Sequence, residues 1–79
     1  MKVRDLRQLL NAERIRPNAY SLGSGDLSDR YYIERADQGW SVHYLERGMK
    51  RRQRSFDQED SACRYFLELV IGDPTTRSR

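Results

Sequence analysis

The sequence predicts a single α+β domain, in which one helix, three or four antiparallel strands and a second helix follow one another along the chain. Apolar residues recur at helical spacing near both ends, whereas aromatic and alternating segments separated by short turns fill the middle. A basic run then gives way to acidic residues at 57–60, which places the start of the last helix. Short turns between strands imply a meander, and the two helices would pack on one face of the sheet.

The first helix is predicted from apolar residues near the N-terminus. Val3, Leu6, Leu9 and Leu10 share one face, and polar residues such as Arg4, Arg7, Gln8 and Asn11 lie outside it. Pro17 forces the residue before it out of helical geometry. The helix should therefore end near residues 13–14.

The middle of the chain is predicted to form up to four strands. They are residues 20–22, 30–36, 40–47 and 51–56, with a flexible loop at 23–29 after the first. Gly39 and Gly48 provide turns, because glycine adopts positive φ without strain. In the third strand, alternation places Trp40, Val42 and Tyr44 on one face. The last strand is mostly polar, which is typical of an edge strand whose charges discourage aggregation.

The second helix follows directly after the basic run. Ser55 or Asp57 can cap it, and the acids at 57–60 complement the positive end of the helix dipole. Its apolar stripe consists of Ala62, Cys63, Phe66, Leu69 and Val70. This stripe should face the core.

The end of the second helix also sets the expected limit of the domain. Gly72 followed by Asp73 and Pro74 is a strong helix stop. We therefore expect one domain over residues 1–74 and a disordered tail at 75–79.

Composition narrows the class of protein. With 37% apolar and 34% charged residues in 79, the chain is lean for a globular domain, so most large apolar side chains are needed in the core. A net charge of +3 is only weak evidence for a nucleic-acid partner. The single cysteine excludes an internal disulfide and fits a reducing compartment. No segment has the apolar length of a signal peptide or a bilayer span, so we expect a cytoplasmic protein that does not contact the membrane.

The residues that could carry chemistry are better explained structurally. His43 lies in the middle of a strand without an orienting partner, and we expect it to be exposed or half-buried. Cys63 lies on the buried helix stripe, and the acids before it would raise its pKa. Those acids at 57–60 suit a helix start better than a calcium loop. We therefore expect no enzymatic activity, no metal site and no cofactor.

The basic run is the strongest candidate for a binding surface. Its members are Arg47, Lys50, Arg51, Arg52 and Arg54, and Glu46 adjoins it. Such a hairpin could bind phosphates electrostatically, or it could be a solvated edge strand that also offers anchors to a protein partner.

The aromatic residues of the sheet add one more candidate for the surface. Trp40, Tyr44 and one of Tyr31 and Tyr32 should be core residues, which leaves the other tyrosine free to contact a partner. We assign the partner surface to Glu46, Arg47, Arg51, Arg52 and Arg54, with Tyr32 as a further candidate.

The order of elements is similar to that of the double-stranded-RNA-binding domain, but the charges are not. That family places lysines at the start of its last helix, where they contact phosphates. This chain has Asp57, Glu59 and Asp60 there, and these acids would repel RNA. The order of elements alone is therefore only an analogy.

A second resemblance covers most of the chain. The segments that carry it are 20–22, 40–44, 46–48, Phe56–Leu67 and Asp73–Arg77. In these segments the chain resembles small bacterial immunity proteins of polymorphic toxin systems. The resemblance implies a cytoplasmic protein that binds a cognate toxin domain and blocks it.

The charge of this chain differs from that expected for inhibitors of nuclease toxins, which are commonly acidic. Its basic character implies that the toxin surface is acidic, or that contact runs through the acids at 57–60 alone. Two alternatives stay open at this point. The chain could be a nucleic-acid-binding module that uses residues 47–54, or a homodimeric structural domain joined through the edge strand. As an immunity protein it would be a monomer or a weak homodimer.

Overall fold

The computed structural model describes residues 1–78 and contains two helices and four strands. They are α1 (Val3–Ala12), β1 (Tyr20–Leu22), β2 (Arg30–Ala36), β3 (Gly39–Glu46), β4 (Met49–Phe56) and α2 (Glu59–Gly72), with short 3-10 turns at Pro17–Ala19 and Pro74–Thr76. The α+β class and the order of elements are therefore as predicted. Neither α1 nor α2 combines the length and the apolar character that a bilayer-spanning helix needs.

The sheet has the strand order β1-β2-β3-β4, and its last three strands form the expected antiparallel meander. β1 instead pairs in parallel with β2, so the sheet is mixed, and the prediction of a fully antiparallel sheet is wrong at this edge. The loop at 23–29 explains the difference. It is long enough to return the chain to the starting end of β1 before β2 begins, and Gly23, with φ of 148°, allows the reversal.

One face of the sheet carries both helices and the core. Side chains from α1, α2 and the central strands form one buried cluster, which includes Leu6, Leu10, Tyr31, Ile33, Val42, Ala62, Cys63, Phe66 and Val70. Trp40 and Tyr44 pack against this cluster and are only partly buried. The predicted stripes of both helices therefore meet on one side of the sheet, except that Leu9, expected on the first stripe, is 38% exposed.

The acids at the start of α2 bind the start of α1. A carboxylate oxygen of Glu59 accepts a hydrogen bond of 2.8 Å from the backbone N–H of Val3, and Asp60 pairs with the terminal amino group of Met1 at 2.7 Å. The predicted caps Ser55 and Asp57 are not used. β4 continues through Phe56, and the N-cap residue is Gln58, whose side chain makes no capping hydrogen bond.

The segment after α2 is packed against the domain, which corrects the disordered tail expected at 75–79. Thr76 is 2% exposed, and its hydroxyl donates to the carbonyl oxygen of Val70 at 2.7 Å. The carbonyl oxygen of Thr76 accepts a hydrogen bond of 2.7 Å from the backbone N–H of Arg16. Arg77 and Ile15 form an isolated antiparallel β-bridge. The domain thus continues beyond residue 74, because these backbone groups fill the gap between α2 and the exit of α1. Arg79 lies outside the described residues.

Candidate interaction surface

β4 displays the basic run on the edge of the sheet. It pairs with β3 on one side, and residues 49–55 are all exposed while Phe56 is partly buried. This confirms the predicted polar edge strand, which begins two residues earlier than expected. The pairing with β3 holds the backbone from which the arginines project.

The basic run is divided between the two faces of the sheet. Arg54 lies across from Val42, and Arg51 lies across from Tyr44, so both occupy the face that carries the helices. Lys50 lies on the opposite face. The positive charge is therefore not one continuous stripe, and its larger part borders α2.

Two glutamates partly neutralise the run. The Nε atom of Arg51 lies 3.3 Å from Oε1 of Glu46, and Nζ of Lys50 lies 3.8 Å from Oε1 of Glu34. Both pairs are solvated, and exposed pairs of this kind contribute little to stability. Their effect is to orient the cations and to break the positive field into separate patches.

A β-bulge gives Arg52 an unusual position. β4 has two residues, Arg52 and Gln53, where β3 has only His43. Arg52 has φ of 53°, a left-handed conformation that costs a non-glycine residue about 1 kcal/mol. The hydroxyl of Tyr65 in α2 lies 3.4 Å from the Arg52 carbonyl oxygen and donates to it. The second helix therefore supports the bulge.

Arg54 covers a pair of aromatic rings. Its guanidinium carbon lies 5.1 Å from the ring centre of Phe56 and 5.3 Å from that of Tyr65. The two rings are themselves in contact, with centres 5.3 Å apart. A guanidinium stacked on rings keeps its edge free for planar hydrogen bonding. Arg54 is thus held in place while its donors face solvent.

Arg47 and Tyr32 do not join this group. Arg47 lies in the exposed turn between β3 and β4, with φ of 52°. Tyr32 is 1% exposed, so its prediction as a partner contact is wrong. The loop at 23–29 covers it. Its hydroxyl donates to the Leu27 carbonyl at 2.9 Å, and a Cβ on Gly25 would lie only 3.0 Å from its ring.

A groove of about 470 Å³ lies beside Arg52, between the sheet and the end of α2. In it, the hydroxyl of Tyr31 donates to Oδ2 of Asp73 at 2.9 Å. Burial and this hydrogen bond raise the pKa of Tyr31 to about 12. Partial burial opposes ionisation of Asp73, but hydrogen bonds from Thr75 and Tyr31 outweigh it, and the pKa of Asp73 is lowered. Glu68 adds a second acid to the lining.

His43 is buried, contrary to the expectation of an exposed or half-buried residue. It is 2% exposed and stacks on Tyr32, with ring centres 5.2 Å apart. Burial and the nearby charge of Lys50 lower its pKa. Its Nδ1 atom has no hydrogen-bond partner within residues 1–78. Burial therefore favours the neutral form of the ring, which packs against Tyr32.

The remaining candidates for chemistry were Cys63 and a metal site. Cys63 is fully buried as predicted, and burial, with a smaller effect of Glu59, raises its pKa to about 11. In the described part of the chain, no three His, Cys, Asp or Glu side chains form a group that could hold a metal ion.

The structure thus places four of the six predicted surface residues on one side of the sheet: Glu46, Arg51, Arg52 and Arg54. Sequence reasoning missed Tyr65, which contacts both Arg52 and Arg54. Its position one residue before Phe66 of the buried stripe, and three after Ala62, could have indicated a helix face that borders the sheet edge.

Neither a protein-family model, nor a curated protein, nor a solved structure matches this chain.

Proposed function

We propose that this chain is a non-enzymatic protein-binding domain of the immunity type, which binds a cognate toxin domain and occludes its active site. The observation that carries the proposal is the group of exposed arginines of β4 on a rigid sheet edge beside α2. Arginine and tyrosine are the residues that most often anchor protein interfaces. The resemblance of the motif segments to immunity proteins supports the same function.

The charges around the group favour a protein partner over a nucleic acid. Acids lie among the arginines on the same side of the sheet, with Glu46 paired to Arg51 and with Glu68 and Asp73 in the neighbouring groove. A phosphate backbone needs a continuous positive path. A protein surface with separate charged groups can match such a mixed pattern.

A growth-protection assay tests this proposal. The chain would be co-expressed in bacteria with each toxin domain encoded beside its gene, and survival would be compared with and without it. We expect protection against one such domain. A variant with R51E, R52E and R54E should lose protection and binding, because the partner surface carries the opposite charge.

The matched control is R4E, R7E and R14E, which changes the net charge equally at exposed positions outside β4. It should still protect. If the β4 variant folds and still binds its partner normally, the assignment of this surface is wrong.

A further inference from the structure

We infer that Arg54 is the anchor of this surface and that it binds a carboxylate side chain of the protein partner, an inference that rests on the proposed function. Arg54 is the only arginine of the described chain that stacks on two aromatic rings at once. Phe56 of the same strand and Tyr65 of α2 supply these rings. The site therefore joins the sheet edge to the second helix.

The contacts with the two rings restrict the side chain of Arg54 in the free protein, before a partner binds. A free arginine loses rotamer entropy when it is immobilised at an interface, and this loss opposes binding. The rings at 5.1 and 5.3 Å already restrict the side chain. Arg54 stays exposed beside the rings, and the planar edge of a guanidinium matches a carboxylate with two parallel hydrogen bonds.

Tyr65 couples Arg54 to the bulge. Its ring lies under Arg54, while its hydroxyl donates to the carbonyl of Arg52 at 3.4 Å. One side chain of α2 thus fixes both the stacked arginine and the strained backbone beside it. Bulges commonly redirect side chains at functional positions, which is the effect here on Arg52.

The surroundings select a single carboxylate over a run of phosphates. Glu68 and Asp73 lie in the groove next to Arg52, so a duplex that follows β4 with its fixed phosphate spacing would bring phosphates close to these acids, whereas a flexible acidic peptide can present one carboxylate to Arg54. Lys50 lies on the other face with Glu34 and cannot extend the positive path. A single acidic side chain of a partner can reach Arg54 without approaching Glu34 or the pair Glu68 and Asp73.

An NMR titration with a capped hexaglutamate peptide tests the inference, and capped hexaglutamine is the neutral control. The observables are the Nε–Hε signals of the arginines and the ring signals of Phe56 and Tyr65. We expect hexaglutamate to shift the Arg54 signal most. R54K keeps the charge but loses the planar edge, so it should weaken binding about tenfold, read from the ring signals.

Three further variants separate the effect of the ring contacts from the effect of charge. R47K changes an exposed arginine outside the group and should leave binding within about twofold of the parent. Y65F keeps the ring under Arg54 and should bind as the parent does, whereas Y65A should weaken binding as R54K does. The amide spectrum of each variant confirms that it is folded.

The inference is overturned if hexaglutamine causes the same shifts, or if R47K weakens binding as much as R54K. It is also overturned if a DNA or RNA duplex shifts residues 47–54 at a lower concentration than hexaglutamate does, since a nucleic acid is then the better ligand.

Its failure is distinguishable from failure of the proposed function. Binding at Arg54 without growth protection would sustain the carboxylate site and reject the immunity role. Growth protection that survives R54K, together with an unshifted Arg54 signal, would reject the site and retain the role.

Discussion

At the scale of single residues, two glycines in similar turns meet different surroundings. Gly39 has φ of 117°, and a Cβ at this position would overlap the carbonyl oxygen of Phe56. Gly48 has φ of 79°, and its Cβ would meet nothing within 4 Å. The sequence predicts both turns, but it cannot show that only a side chain at position 39 would meet the backbone at the end of β4.

Gly39→Ala should therefore destabilise the domain more than Gly48→Ala. The first substitution adds a clash with backbone to the conformational strain, and we expect a loss of at least about 3 kcal/mol. The second carries only the strain of a positive φ, about 1 kcal/mol. Urea unfolding of both variants measures the difference, and equal losses would contradict the close approach at Gly39.

A residue-scale prediction also follows from the Tyr31 hydroxyl. Tyr31→Phe removes the 2.9 Å hydrogen bond to Asp73 and leaves a partly buried carboxylate with one donor fewer. We expect a loss of about 1–2 kcal/mol in the free energy of unfolding. Tyr44→Phe is the matched control, because the Tyr44 hydroxyl lies 3.5 Å from Asp29 and is exposed, so its loss should be small. A free energy of unfolding for Tyr31→Phe equal to that of the parent would show that the Tyr31 bond does not stabilise the fold.

At the scale of elements, the sequence predicts the limits of helices and strands well, because residues adjacent in the chain determine these limits. The predicted and observed limits of β2 are identical, and α2 ends at Gly72 as expected. The parallel pairing of β1 and the bulge at Arg52 left no local signal, because each depends on where a distant segment lies. The burial of Tyr32 was missed for the same reason, since alternation assigns a face but does not say which loop covers it.

The C-terminal segment shows the same limit, and its contribution can be measured. Ending the chain after Pro74 removes the contacts of Thr76 with Val70 and Arg16, and we expect a loss of roughly 2–4 kcal/mol from several hydrogen bonds and one buried side chain. Thr76→Val keeps the shape and backbone contacts, so it should lose only about 1–2 kcal/mol. Denaturant unfolding compares the two. A truncated chain as stable as the parent would mean that the segment contributes no stability.

At the scale of the whole molecule, the two faces of the sheet differ in kind. One face is covered by helices and holds the apolar core, and the other contains the buried residues Tyr32, Ser41 and His43, of which Tyr32 lies against the loop at 23–29. The nearest charged groups to His43 are Lys50 and Glu34, which oppose each other in their effect on its pKa. Burial dominates, so the folded protein holds this ring neutral.

This arrangement predicts that stability falls as the solution becomes mildly acidic. The pKa of His43 is lower in the folded protein than its ordinary value of 6.5, so the unfolded chain binds a proton more readily. Stability from this group is complete above pH ~6.5 and is lost as the pH falls from there towards the folded pKa. Asp60 and Asp73, whose pKa values are lowered, lose their contributions only below pH ~4, so the mildly acidic range reports on His43.

Thermal unfolding between pH ~8 and ~4.5 measures this dependence, with His43→Leu as the comparison. The parent should lose stability below pH ~6.5, whereas the variant has no titrating group at this position and should change little until the carboxylates begin to titrate. The sign is decisive, because a histidine stabilised in its charged form would make the parent more stable in acid. Parallel pH profiles for the two proteins would contradict a buried neutral ring and the packed polar face to which it belongs.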